Sequence, residues 1–295
     1  MNLNTHPLHA VFFAVLLTAG ICAQAQQPPT RQARPVFNNQ QRTTAAAETP
    51  PDSIYLVKEW VSPSSGDTLK YRMLLPVNYD PQKSYPLILF LHGAGERGSD
   101  NIRQLTHGAK LFANPEVREN FPAIVVFPQC PATSYWSNVD IRLNDSTKKR
   151  EFNFQKEGEP TQAMKMLLQW LPYFEQEYAI SEKQRYVMGL SMGGMGTFEL
   201  VRRRPGYFAA AVPICGGANP ETAQQIKETS FWIFHGKMDD VVPYEHSEKM
   251  VNALQEFYVR GEVNYTLFPK ANHNSWDPAF AEPDLLPWLF NQKKK

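Results

Sequence analysis

Apolar and polar residues alternate along residues 54–61 and again along 69–75, on either side of Ser64-Ser65-Gly66-Asp67, a pattern that predicts two strands joined by a turn. Residues 85–91, Y-P-L-I-L-F-L, are apolar without a break, as expected of a strand covered on both faces. Beyond them the pattern switches repeatedly between two periods. Residues 101–112 read as a helix, 123–127 as a buried strand, and 161–178 as a helix with Met164, Leu167, Leu168, Leu171 and Phe174 on one face. Residues 186–188 form an apolar entry to a glycine-rich turn, and 195–201 are compatible with a helix leaving it. Strands at 209–214, 231–234 and 263–268 and helices near 221–227, 244–258 and 284–291 complete the series. Two opening strands followed by strand and helix in alternation predict an α/β fold, a doubly wound, mostly parallel sheet with antiparallel N-terminal strands. Residues 129–160 are expected to be a long connection without regular structure, and such connections are usually functional or disordered.

The first residues depart from this pattern. An apolar run over 11–23 ends in Ala23-Gln24-Ala25, an A-x-A cleavage signal, and is short for a bilayer span. Residues 1–25 are therefore expected to be a signal peptide, and the protein to be exported to the periplasm or the extracellular space with no stable membrane span after cleavage. The alternative is a membrane anchor through an uncleaved or lipidated N-terminus at Cys22. Residues 26–52, rich in Gln, Pro, Thr, Ala and Arg, cannot bury enough apolar surface to order themselves and are expected to be a disordered linker. That leaves 53–295 as one catalytic domain. A net charge of +1 and 42% hydrophobic residues give no basic excess for nucleic acid. Of three cysteines, Cys130 and Cys215 follow cleavage. They end strands separated by two others, about 14 Å apart at ordinary strand spacing, beyond the reach of a disulfide. Both are expected to be free and buried.

The chemistry centres on Y-V-M-G-L-S-M-G-G-M-G-T-F, residues 186–198. Its G-x-S-x-G fits a nucleophile elbow, in which Ser191 sits on a tight strand-to-helix turn with its hydroxyl exposed above a sheet. A serine hydroxyl needs a base, and the base needs a group to orient it. The acid candidates are Asp239 and Asp240, just past the strand at 231–234, where functional side chains of open α/β sheets collect. Two histidines follow, His246 and His273. His246 falls in the first turn of a helix and is expected at the surface or as a cap, whereas His273 lies in a loop after the last strand.

The segment H-G-K-M-D-D-V-V-P resembles the acid loop of the α/β-hydrolase superfamily, and alignment of Val242-Pro243 puts the acid on Asp239. H-N-S-W-D-P-A around His273 is similar to secreted bacterial carboxylesterases of the phospholipase/carboxylesterase and polyhydroxybutyrate-depolymerase type. It is similar also to predicted peptidases with a prolyl-oligopeptidase-like catalytic domain. The resemblance implies a triad of Ser191, Asp239 and His273, and an oxyanion hole at L-H-G-A-G-E-R-G. Its backbone N–H donors would be Ala94, with Gly95 as the alternative, and Met192. His92, upstream of the serine, is expected to prop that loop. Candidate substrate contacts are Trp136, Trp276, Glu96 and Arg97; the competing readings are a packed core for Trp136 and a structural ion pair for Glu96 and Arg97.

No H-E-x-x-H, no C-x-x-C and no dinucleotide fingerprint is present, and the serine mechanism needs no metal and no cofactor. The expected function is a secreted serine hydrolase of carboxylic esters acting through an acyl-enzyme. The implied partner is a small-molecule or glycan-linked ester, an acylated sugar or an aryl-acyl ester. The alternatives are a serine peptidase and an inactive, ligand-binding relative.

Overall fold

The computed structural model describes residues 54–257 and 261–294. The expected signal peptide at 1–25 and the linker at 26–52 lie outside these, as does the end of the helix expected at 244–258. Ten strands run β1 Leu56–Val61, β2 Thr68–Leu74, β3 Tyr85–Leu91, β4 Ile124–Pro128, β5 Val139–Leu143, β6 Arg150–Phe154, β7 Ile180–Leu190, β8 Ala210–Ile214, β9 Ser230–Gly236 and β10 Val263–Phe268. The helices are α1 Ala109–Ala113, α2 Pro115–Asn120, α3 Gln162–Glu177, α4 Met192–Arg203, α5 Ala223–Ile226, α6 Glu245–Glu256, α7 Trp276–Phe280 and α8 Leu285–Asn291.

Eight strands form one sheet in the order β1-β2-β4-β3-β7-β8-β9-β10. The β1–β2 and β2–β4 pairs are antiparallel and every later pair is parallel. The expected mostly parallel sheet with an antiparallel start is what forms. The unbroken apolar run of β3 explains itself here: Leu87, Leu89 and Leu91 enter the core under α3, α4 and α6, while Ile88 and Phe90 enter the core under α1 and α8. Helix α3 starts at an N-cap, where Thr161 Oγ1 accepts from the Met164 amide at 3.2 Å, and its face of Met164, Leu167, Leu171 and Phe174 is buried.

Three segments differ from the sequence expectation. Residues 101–112 are not one helix: a turn at Arg103–Leu105 is separated from α1 by Gly108, whose φ of +82° breaks the helical path and whose bare Cα faces the Phe90 ring. The 129–160 connection holds a two-stranded antiparallel hairpin, β5 with β6. Its alternations V-D-I-R-L and R-E-F-N-F flank a polar turn, and they carried the strand period that the expectation of an irregular loop passed over. Finally, β7 begins at Ile180, well before its apolar part. Among the described residues no helix is long and apolar enough to cross a membrane.

Cys130 follows β4 and Cys215 follows β8, with β3 and β7 between; both thiols are free and buried, and burial pushes the Cys130 thiol up to about 12. Alkylation mapping of the denatured, unreduced protein is expected to find both as free sulfhydryls, and the native protein to react slowly at each. A Cys130–Cys215 linked peptide from the monomer would contradict this strand order.

Candidate active site

The elbow begins with backbone geometry. Ser191 sits between β7 and α4 at φ 52° and ψ −116°, a region that costs an L-residue energy and that the surroundings must enforce. Its amide donates to the Ile214 carbonyl at 2.9 Å, and its carbonyl accepts the first helical bond of α4, from the Met195 amide, at 2.9 Å. The glycines make room for this turn. A Cβ on Gly193 would overlap the Leu91 carbonyl, and one on Gly194 the Ile214 carbonyl, so α4 enters flush against the ends of β3 and β8 only because both lack side chains.

Three side chains from separate loops meet above the sheet. His273 Nε2 lies 2.9 Å from Ser191 Oγ, and His273 Nδ1 lies 2.8 Å from Asp239 Oδ2. A carboxylate only accepts, so Nδ1–H donates to it and Nε2 is left as the acceptor of the serine proton. The His273 side chain is 19% exposed and that of Asp239 0%. Burial pushes the Asp239 carboxyl up, but hydrogen bonds from His235, His273 and the Val242 amide outweigh it and hold the group well below the usual carboxylate range. Its Oδ1 accepts from the Val241 and Val242 amides at 2.9 and 2.8 Å, so Asp239 also caps the loop that follows it. Asp240 is exposed, and its amide donates to Asn272 Oδ1 at 3.1 Å.

A second histidine on Asp239 was not singled out beforehand. His235, fully buried at the end of β9, approaches Asp239 Oδ2 with Nε2 at 3.2 Å and Val242 O at 2.9 Å, while its Nδ1 meets Ser247 Oγ at 2.7 Å. The histidine of H-G-x-x-D was the available signal: on a strand four residues before the acid, it can reach back to it.

His92 is locked beneath the proposed oxyanion loop. Its Nδ1–H donates to the Gly93 carbonyl at 2.6 Å and its Nε2 accepts from the Cys130 amide at 2.9 Å; burial pushes its pKa down to about 4, so the ring is neutral near pH 7. Ala94 begins a single 3₁₀ turn and Met192 begins α4. The first N–H groups of a helix have no intrahelical acceptor, which makes both amides donors by position. Arg97 does not face the pocket: it donates to the Ala94, Ala132 and Ser134 carbonyls at 3.0, 3.3 and 3.2 Å and ties the loop to the segment after β4. It forms no ion pair with Glu96, whose partner is His107 at 3.8 Å.

Ser191 and His273 open into a pocket of about 320 Å³. Glu96 and Trp276 line it, as do His107, Tyr135 and, from the hairpin, Ile141, Arg150 and Phe152. Trp136 does not. It is 0% exposed, with its ring edge-on to His92 at 5.5 Å and its Cβ against the bare Cα of Gly196, so the packed-core reading replaces its role as a substrate contact. His246, expected at the surface or as a cap, instead packs edge-on to Phe152 and Phe154 at 5.5 and 5.3 Å, and burial pushes its pKa down to about 4. The pocket contacts of the hairpin residues and of His107 are not legible in the sequence, because 129–160 reads as a loop and 101–112 as a helix.

Cys215 Sγ, an Asp239 carboxylate oxygen and a His273 ring nitrogen lie within 4.8 Å of one another, a ligand set by distance alone. The chemistry does not suit a metal: burial pushes the Cys215 thiol up, keeping it protonated, and Nδ1 already carries the proton donated to Asp239.

A model of the family described as "Putative esterase" matches residues 62–282. A crystal structure of a thermostable esterase superposes with a TM-score of 0.71 at 34% identity, covering 82% of this chain and 64% of that one. A bifunctional acetylxylan esterase/xylanase of Neocallimastix patriciarum is 26% identical over 211 residues, 69% of this chain and 27% of the relative. A probable feruloyl esterase C of Aspergillus terreus is 25% identical over 183 residues, 62% of this chain and 59% of the relative. The chain thus spans 27% and 59% of the length of these two curated relatives.

Proposed function

We propose that this chain, which belongs to the esterase family and has the α/β-hydrolase fold, is a carboxylic ester hydrolase that works through an acyl-enzyme on Ser191. One observation carries the proposal: the hydrogen-bonded line from Ser191 Oγ through His273 to Asp239 at the floor of the pocket. In this reading His273 Nε2 takes the serine proton as Oγ attacks the ester carbonyl, and Asp239 stabilises the imidazolium that results. The carbonyl oxygen becomes an anion, held by the Ala94 and Met192 amides. His273 then returns the proton to the leaving alcohol, and water repeats the sequence to release the acid. His235 positions Asp239, and His92 and Arg97 hold the loop that carries Ala94.

The substrate we propose is an acylated sugar or an aryl-acyl ester. Tyr135, Phe152 and Trp276 offer flat rings to an aromatic or short acyl group, and the relatives named above are an acetylxylan esterase and a probable feruloyl esterase. The apolar run at 11–23 with its A-x-A site supports export, which places such polymers within reach.

The test is a panel of nitrophenyl acetate, a nitrophenyl ester of a long fatty acid, methyl ferulate, acetylated xylo-oligosaccharides and proline-containing peptides. The acetyl or feruloyl esters are expected to exceed the long-chain ester and the peptides by at least about tenfold in kcat/KM, roughly 1.4 kcal/mol of discrimination. Faster cleavage of the peptides would establish the peptidase reading instead, and faster cleavage of the long chain would remove the sugar-ester one.

A further inference from the structure

Beside the catalytic pocket lies a second one of about 350 Å³, and the two share a wall, because Arg150 and Val241 line both. Lys149 and Arg150 border it from the hairpin, Lys237 and Met238 from the end of β9, and Pro243 and Tyr244 from the approach to α6.

The charges around this pocket are unevenly satisfied. Lys149, Arg150 and Lys237 are exposed, and no carboxylate among the described residues pairs with any of them. The carboxylates of the hairpin strands are already engaged: Asp140 by Arg142 at 2.7 Å, and Glu151 by the Asn144 amide at 2.6 Å. Asp239 borders the pocket with its backbone, but its carboxylate is turned away, onto His273 and His235. Asp240 and Glu245 remain, both exposed; Glu245 lies in the first turn of α6, where the positive end of the helix dipole offsets its charge. The balance favours an anion on the side nearest Ser191, where Arg150 separates the two pockets. An arginine fork takes both oxygens of a carboxylate at once.

The rest of the lining is different in kind. Met238, Pro243 and Tyr244 add an apolar and aromatic surface beside these cations. A sugar ring stacks its apolar face on such a surface and turns its substituents towards the cations. A long acyl chain would leave the three cations without partners, and a neutral sugar would leave them equally unused.

We propose that this second pocket is a subsite for a carboxylate-bearing sugar, a uronosyl unit of the glycan on the alcohol side of the ester, held by Lys149, Arg150 and Lys237. The proposal rests on the hydrolase reading above and assigns the part of the substrate that the catalytic pocket leaves open. The acyl group occupies the pocket among Tyr135, Phe152 and Trp276, and the glycan crosses Arg150 into the second pocket.

The experiment compares kcat/KM on acetylated trigalacturonate with that on acetylated xylotriose, with nitrophenyl acetate as an ester too small to reach the second pocket. The wild type is expected to prefer the uronate ester by about five- to tenfold at low ionic strength, mainly through KM, as a few exposed charge pairs allow. The preference should fall towards unity in about 0.5 M salt, where exposed charges are screened, and likewise in Lys149→Ala/Lys237→Ala. Hydrolysis of nitrophenyl acetate with no preference between the two oligosaccharides, or with a preference that survives both salt and substitution, overturns the subsite and leaves the hydrolase intact. A wild type inactive on all three esters overturns the hydrolase reading, and the subsite with it.

Discussion

Ser191→Ala is expected to lower ester turnover by roughly 10⁴-fold or more, with the fold unchanged. The substitution removes one atom, Oγ, whose partner is His273 Nε2 at 2.9 Å. Everything that shapes the elbow belongs to the backbone or to the glycines. The Ser191 amide still donates to Ile214 O, its carbonyl still accepts from Met195, and alanine bears a φ of 52° no worse than serine does. The loss should therefore fall on kcat for nitrophenyl acetate, while the melting temperature stays within a few degrees of the parent. What activity remains would come from the amides of Ala94 and Met192 and from substrate binding. Turnover within about tenfold of wild type would remove Ser191 from the nucleophile's position.

The second large effect separates two adjacent carboxylates. Asp239→Asn is expected to reduce kcat by about 10⁴-fold, and Asp240→Asn by no more than a few-fold. The reason lies in donor and acceptor counts. Asp239 offers Oδ1 to two backbone amides and Oδ2 to His273 and His235. Asparagine can keep its oxygen on the Val241 and Val242 amides, which preserves the loop, but its Nδ2 then faces His273 Nδ1. Two N–H donors cannot face each other, so His273 takes the other tautomer, with the proton on Nε2, and can no longer accept from Ser191. Asp240 carries no such constraint, since its contact with Asn272 is made by its backbone amide. Steady-state kinetics of the two variants on nitrophenyl acetate give the ranking. The reverse order would move the acid by one position and detach the loop's cap from its chemistry.

Much of this arrangement was legible in the residues. The unbroken run of β3, the single-faced pattern of α3 and the paired opening strands each read correctly, because periodicity records directly which faces a segment covers. The three side chains that the α/β-hydrolase resemblance singled out, Ser191, Asp239 and His273, meet at hydrogen-bonding distance, since each follows the carboxyl end of a strand in the parallel part of one sheet. The spacing of Cys130 and Cys215 followed from the same strand order. The misread secondary structure had local causes. Gly108 broke a helix whose apolar pattern was otherwise continuous, and the polar turn of the hairpin masked the alternation on either side of it.

The amino-acid sequence by itself determined the individual strands and the elbow, because each depends on residues within a turn or a strand of one another. Only the tertiary structure decided which side chains line the pocket. Trp136 and Tyr135 are neighbours in the chain, yet one packs against His92 and Gly196 and the other faces the site. His246 looks like a surface residue of an amphipathic helix until the hairpin covers it with Phe152 and Phe154. Arg150 gains its place between two pockets only because β6 folds back towards the loop after β9. Exposure at such positions is set by segments far away in sequence, and no local period carries that information.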